Sequence, residues 1–128
     1  MHYLSARSRS RLDGIDKVLI DIIEEAIKTS PYDFGIPQYG GMRLDAVQKE
    51  MYAQGRTKPG RKVTWTLNSY HKTGKAFDIY AYVNGGASWD LKYLEPIARH
   101  LQDVACMYDI ELQWGHDLWG KDGAHFQI

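Results

Sequence analysis

Ser69-Tyr70-His71-Lys72-Thr73-Gly74-Lys75-Ala76-Phe77-Asp78 is the stretch on which the reading of this chain hinges. Gly74 lets the backbone double back, His71 falls in the turn before it, and Asp78 projects from the strand that follows. Residues 76–83 alternate, with Phe77, Ile79, Ala81 and Val83 on one face and Asp78, Tyr80 and Tyr82 on the other. An imidazole and a carboxylate carried in this way can meet at one point, as a tetrahedral metal ion requires. The spacing alone decides nothing: with 5 His and 11 Asp in 128 residues, a His followed seven positions later by Asp is expected about 0.4 times by chance.

The C-terminal flank supplies the missing partner. Asn84-Gly85-Gly86 ends the strand, and a helical pattern over 90–108 carries Leu94, Ile97, Ala98, Leu101, Val104 and Ala105. Pro96 predicts a break in that helix or a start close to it. Ile110 to Trp114 reads as a strand, Gly115 to Gly123 as a glycine-punctuated loop, and Ala124 to Ile128 as a last strand. If that last strand lies beside residues 76–83, His125 becomes a third ligand. Two His and one Asp leave the fourth tetrahedral position open to water, the mark of a catalytic rather than a structural site.

On the N-terminal side, Val63 to Leu67 is rich in β-formers and Gly55 to Arg61 is a loop. Residues 43–54 form a short helix with Leu44, Val47 and Met51 on one face and Gly55 as its C-cap. Asp33 to Ile36 reads as a strand. Residues 16–29 form an amphipathic helix with Val18, Leu19, Ile22, Ile23, Ala26 and Ile27 inside, closed by Ser30-Pro31. Helices and short strands mix without a βαβ rhythm, so the fold class is α+β: a small antiparallel sheet with helices packed on one side.

Length and composition bound the function. Residues 1–128 suffice for one domain, with 44% hydrophobic and 25% charged residues. A formal net charge of zero argues against a nucleic-acid binder, although residues 1–75 carry 13 Lys/Arg against 8 Asp/Glu and residues 76–128 carry 3 against 8. The lone Cys106 excludes an internal disulfide and a multi-cysteine zinc site, and its apolar neighbours predict a buried thiol. The N-terminus lacks the apolar stretch of a signal peptide, and the longest apolar cluster, Val18 to Ile23, is too short to span a bilayer. A protein folded in the cytoplasm, without stable membrane association, is expected. Arg7, Arg9 and Arg11 read as solvated, His2 and His100 as surface or satisfied core residues. Trp65, Trp89, Trp114 and Trp119 read as core and cleft wall.

Taken together, Ser69, His71, Gly74, Ala76 and Asp78, with Asp122-Gly-Ala-His125, resemble the two motifs of the zinc D-Ala-D-Ala carboxypeptidase/VanY-like peptidases. Ser10 to Gly14, Asp33 to Ile36, Gly41-Met-Arg43, Gly55 to Gly60, Val63-Thr64, and Trp114-Gly115 with Asp117 and Trp119 are similar to the phage endolysin branch, the L-alanyl-D-glutamate peptidases. The resemblance implies a hedgehog/DD-peptidase-like fold and a Zn2+ ion held by His71, Asp78 and His125. It further implies Asp122 as general base and then acid, Arg43 as a substrate residue, and Ser69 as a hydrogen-bonding support of the site. The implied activity is hydrolysis of the L-alanyl-D-glutamate bond of the peptidoglycan stem peptide by a monomer, released through membrane pores to the wall at host lysis.

Two departures stand out. Ala124 replaces a common proline, and Gly115-His116-Asp117-Leu118-Trp119 carries an extra leucine where the family often has Gly-Gly-Asp-Trp. His116 thereby becomes a competing ligand and Asp117 a rival base. Two other functions fit the same motifs. A D-Ala-D-Ala type carboxypeptidase would lean on Arg43 for a free carboxylate, and a non-catalytic zinc-stabilised binding module of this fold would have no use for Asp122.

Overall fold

The computed structural model describes residues 1–62 and 70–128. Ser69, Trp65 and the strand expected over 63–67 lie outside the described residues.

Helix α2 (Lys17–Thr29) starts where the Asp16 carboxylate accepts from the Val18 amide, an N-cap that satisfies an otherwise orphaned donor. Its apolar stripe, Leu19, Ile22, Ile23, Ala26 and Ile27, is buried as expected and packs on α4 (Leu91–Met107). The short helix α1 (Ala6–Ser10) precedes it. Arg9 is exposed, as expected, and pairs with Glu24 at the surface, whereas the half-buried Arg11 donates to the Ile36 carbonyl and ties this segment down.

Helix α4 runs through Pro96 without a break. Proline removes the hydrogen bond to the Lys92 carbonyl, but Lys92 is exposed, so water can serve that oxygen. The inner face of α4 is Leu94, Ile97, Ala98, Leu101, Val104 and Ala105. Cys106 is one residue further round the helix and is exposed, which corrects the expectation of a buried thiol.

The strands form two three-stranded antiparallel sheets. In the first, β3 (Tyr80–Val83) lies between β1 (Asp33–Gly35) and β4 (Gly86–Ser88); in the second, β6 (His125–Gln127) lies between β2 (Ala76–Asp78) and β5 (Gln113–Trp114). The run 76–83, expected as one strand, is therefore divided. The Asp78 amide donates to the Gly40 carbonyl and the Ile79 amide to the Ala124 carbonyl, and beyond them the chain enters the other sheet. The alternation survives the break: Phe77, Ile79 and Ala81 are buried. The loop expected over 115–123 contains a short helix, α5 (Gly115–Trp119).

Helix α3 (Asp45–Ala53) departs from its expected face. Leu44 before it is 70% exposed, whereas Gln48 is completely buried. The C-cap of α3 is Gln54, not Gly55 as expected; Gly55 has φ +78° and donates its amide to the Lys58 carbonyl, so its left-handed backbone serves the turn that follows. Among the described residues no helix is long and apolar enough to cross a membrane.

Candidate metal centre

Three backbone devices bring three side chains together. Asp78 and His125 are direct register partners on β2 and β6. His71 sits in a 3-10 turn, Tyr70–Thr73, closed by Gly74 at φ +75°. A Cβ at Gly74 would lie 2.6 Å from the Gly14 carbonyl oxygen, so both space and backbone demand glycine there.

The result is a triangle of ligand atoms. His71 Nε2 and His125 Nδ1 each lie 3.1 Å from Asp78 Oδ1 and 3.2 Å from one another. A tetrahedral ion with bonds of about 2.0 Å separates its ligand atoms by about 3.3 Å, so these edges fit one small cation. Among the described residues this is the group of His, Cys, Asp and Glu side chains that could hold a metal.

The outer hydrogen bonds choose the tautomers. His71 Nδ1 is 2.8 Å from the Gly41 carbonyl oxygen, which can only accept; the proton of the neutral ring is thus on Nδ1, and Nε2 is the unprotonated nitrogen. His125 Nε2 is 2.8 Å from Gln127 Oε1, while the Gln127 amide donates to Gln113 Oε1. That fixes the His125 proton on Nε2 and turns the Nδ1 lone pair toward the triangle. Two imidazole lone pairs and a carboxylate oxygen at such distances repel unless a cation lies among them. Burial opposes charge on His125, but the hydrogen bond and negative charge of Asp78 outweigh it and raise the affinity of this ring for a proton. Burial likewise disfavours charge on Asp78, yet the two imidazoles hold its carboxyl far below the usual carboxylate range.

The second oxygen of Asp78 is also occupied. Asp78 Oδ2 accepts from Arg43 Nη2 at 2.8 Å. Arg43 is 5% exposed; its Nε donates to the Tyr39 carbonyl and its Nη1 to Gln48 Oε1. Three nitrogens of the expected substrate arginine thus have partners within the protein.

Asp122 belongs to the turn that delivers His125. Its carbonyl accepts from the His125 amide at 3.1 Å, and its φ of +65° is a left-handed conformation that aspartate tolerates. A Cβ at Gly115 would meet the Asp122 carbonyl oxygen at 2.4 Å and His125 Cβ at 3.2 Å, so glycine there lets α5 close on the turn. The Asp122 carboxyl is raised above its ordinary pKa, first by the protein around it and then by the negative charge of Asp78. His125, His71 and Arg43 pull the other way.

The rivals lie elsewhere. Asp117 makes two hydrogen bonds with Arg99, at 2.7 and 2.9 Å, and that guanidinium holds its carboxyl below the usual range. The His116 ring packs on Trp114 at 5.0 Å and is not in the metal cluster. Trp119, half exposed, lies 5.5 Å from the His125 ring and walls the site. Trp114 is buried and donates to the Gly123 carbonyl. His100 reaches the Ala26 carbonyl from α4 and is structural.

Sequence reasoning missed Gln48, Gln127 and the Gly41 carbonyl. A signal existed only for Gln48, a polar residue four positions after Leu44 and three before Met51, on the stripe expected to be apolar.

The chain is 30% identical over 121 residues to the L-alanyl-D-glutamate peptidase of Escherichia phage T5, covering 92% of this chain and 82% of that one. It is 32% identical over 127 residues to the peptidoglycan L-alanyl-D-glutamate endopeptidase CwlK of Bacillus subtilis, covering 93% and 74%. The crystal structure of the Serratia marcescens L-Ala D-Glu endopeptidase ChiX superposes with a TM-score of 0.81 at 34% identity, over 96% of this chain and 86% of that one. The small antiparallel sheets and packed helices are thus those of a solved endopeptidase. Since the phage L-alanyl-D-glutamate peptidase model matches residues 1–127, the chain belongs to that family.

Proposed function

We propose that this protein is a zinc-dependent endopeptidase that hydrolyses the L-alanyl-D-glutamate bond of peptidoglycan stem peptides at the wall of a lysing host cell. The observation that carries the reading is the convergence of His71 Nε2, His125 Nδ1 and Asp78 Oδ1 within 3.2 Å of one another. Two imidazole nitrogens and one carboxylate oxygen form a donor set suited to Zn2+ in a catalytic site with an open position. His71, Asp78 and His125 would hold the ion. When bound, zinc acts as a Lewis acid that polarises a carbonyl and acidifies water.

The remaining work falls to the chain's own residues. Asp122, with its raised proton affinity, suits a group that takes a proton from the attacking water and returns it to the leaving amine. The turn from Asp122 to His125, closed by the bond from the His125 amide to the Asp122 carbonyl, places this acid on the same turn as the ligand. Trp119 gives the substrate an apolar wall beside His125. The exopeptidase alternative is less well supported, because it needs a cation for a terminal carboxylate, and the Arg43 guanidinium is buried on Asp78.

Mass spectrometry of purified peptidoglycan after digestion tests the assignment. New peptides beginning with D-glutamate are expected. Release of free D-alanine with the L-alanyl-D-glutamate linkage intact would overturn it.

A further inference from the structure

We propose that Arg43 and Gln48 are positioning residues of the metal centre, which hold Asp78 as a one-oxygen ligand and tie it to His71. The inference rests on the metal reading of the triad and adds two residues to it.

A carboxylate has two equivalent oxygens and, left alone, can turn to offer either or both to an ion. Asp78 has lost that freedom. Oδ1 faces both imidazole nitrogens at 3.1 Å, and Oδ2 accepts from Arg43 Nη2 at 2.8 Å. A planar guanidinium is a rigid donor only when its own plane is fixed, and here it is. Nε donates to the Tyr39 carbonyl at 2.8 Å, and Nη1 to Gln48 Oε1 at 3.1 Å. Gln48 is fully buried, so its amide acts inside the protein, where a hydrogen bond is poorly replaced by water. Tyr39 has φ +62°, an unusual backbone for a tyrosine, in the turn that presents this carbonyl.

Arg43 also reaches the second ligand through its main chain, because its amide donates to the His71 carbonyl at 3.0 Å. The preceding residues act alike: the Gly40 carbonyl accepts from the Asp78 amide at 2.7 Å, and the Gly41 carbonyl from His71 Nδ1 at 2.8 Å. Residues 39–43 thus form a frame that touches His71 twice and Asp78 twice. Helix α3 contributes Gln48 to that frame, which gives a physical reason for a polar residue at its most buried position. This role differs from binding a substrate carboxylate, which would leave the metal site indifferent to the arginine.

The test compares the wild type with Arg43→Met and Gln48→Met. Zinc affinity is measured by competition with a chromophoric chelator, and the visible spectrum is recorded after cobalt(II) substitution. Hydrogen-bonding supports of metal ligands typically carry about 10- to 100-fold in affinity, and Arg43→Met is expected to weaken zinc binding by that much. Gln48→Met keeps the guanidinium–carboxylate pair and is expected to weaken it by about threefold or more, with the cobalt spectrum altered in both variants. Gln48→Met carries the test if Arg43→Met does not fold. Variants that bind zinc within about twofold of wild type, with an unchanged cobalt spectrum and a raised KM, would overturn the proposal in favour of a substrate role. A wild-type protein that takes up no zinc would overturn the metal reading itself, a distinct result.

Discussion

Replacing Gly41 with alanine tests how far the metal site depends on its frame. A Cβ at this position would lie 1.9 Å from the Arg11 carbonyl oxygen and 3.6 Å from Ile15 Cγ1. Backbone faces backbone here, so no flexible side chain can swing aside, and one strand of chain must move by about 1 Å or more to reach ordinary contact distance. Overpacking of this kind costs about 1–3 kcal/mol. The movement also strains the bond that the Gly41 carbonyl accepts from His71 and the one that Gly40 accepts from Asp78, each worth about 1 kcal/mol. A loss of about 2–4 kcal/mol follows, which for a chain of this size lowers the melting temperature by about 8–15 °C. Gly85→Ala is the control: its φ of +78° strains alanine, but nothing lies within 4 Å of the added carbon, so about 1 kcal/mol and about 4 °C are expected. The assay is thermal melting of the metal-free proteins by circular dichroism, followed by zinc titration. A Gly41→Ala protein that melts no lower than Gly85→Ala and binds zinc as wild type does would refute the reasoning.

Asp122→Asn should retain zinc and lower kcat by about 10²- to 10⁴-fold, the usual contribution of a positioned general base; undiminished turnover would remove Asp122 from the mechanism. Asp16 caps α2 and accepts from Lys75; these bonds hold its carboxyl below 3.8, its ordinary value. Because the folded pKa is depressed, its contribution to stability is complete above the ordinary value and is lost as pH falls through and below it. The melting difference between wild type and Asp16→Ala should therefore shrink from pH 6 to pH 3, and a difference constant over that range would contradict the pairing. Chelation should lower the melting temperature of the zinc-loaded protein, since an ion bound only by the folded state stabilises it; calorimetry with and without chelator reads this directly.

Much of the architecture was legible in the sequence because the relevant information is periodic. The stripe from Leu19 to Ile27 and that from Leu94 to Ala105 each mark a buried helical face, and both faces are buried in the structure. Period fails where a neighbour in sequence is not a neighbour in space. Cys106 follows Val104 and Ala105 but turns about 100° per residue away from their face, and so it meets solvent. The alternation over 76–83 marks Phe77, Ile79 and Ala81 as inside, although Val83 at its end is only half-buried; it cannot say which strand each edge will pair with, and the chain changes sheets between Asp78 and Tyr80. Pro96 misled because a lost hydrogen bond near an exposed turn costs less than the packing of the helix face gains.

The candidate site was legible for a different reason. His71, Asp78, Asp122 and His125 stand out only within the longer two-motif pattern that resembles the peptidase family, and the fold brings His71, Asp78 and His125 to one point. What holds them was hidden. Gln127 and the Gly41 carbonyl select imidazole tautomers through contacts that no local pattern announces. Arg43 is marked in the sequence by the family resemblance as a substrate residue, and its burial and its pairing with Asp78 are visible only in the structure.

The proposed chemistry requires that His71, Asp78 and His125 form one metal site. Elemental analysis after zinc loading and dialysis tests it directly, across wild type, His71→Ala and His116→Ala. One zinc per chain is expected in the wild type and in His116→Ala, and none in His71→Ala. Zinc retained in full by His71→Ala, or lost from His116→Ala, would contradict it.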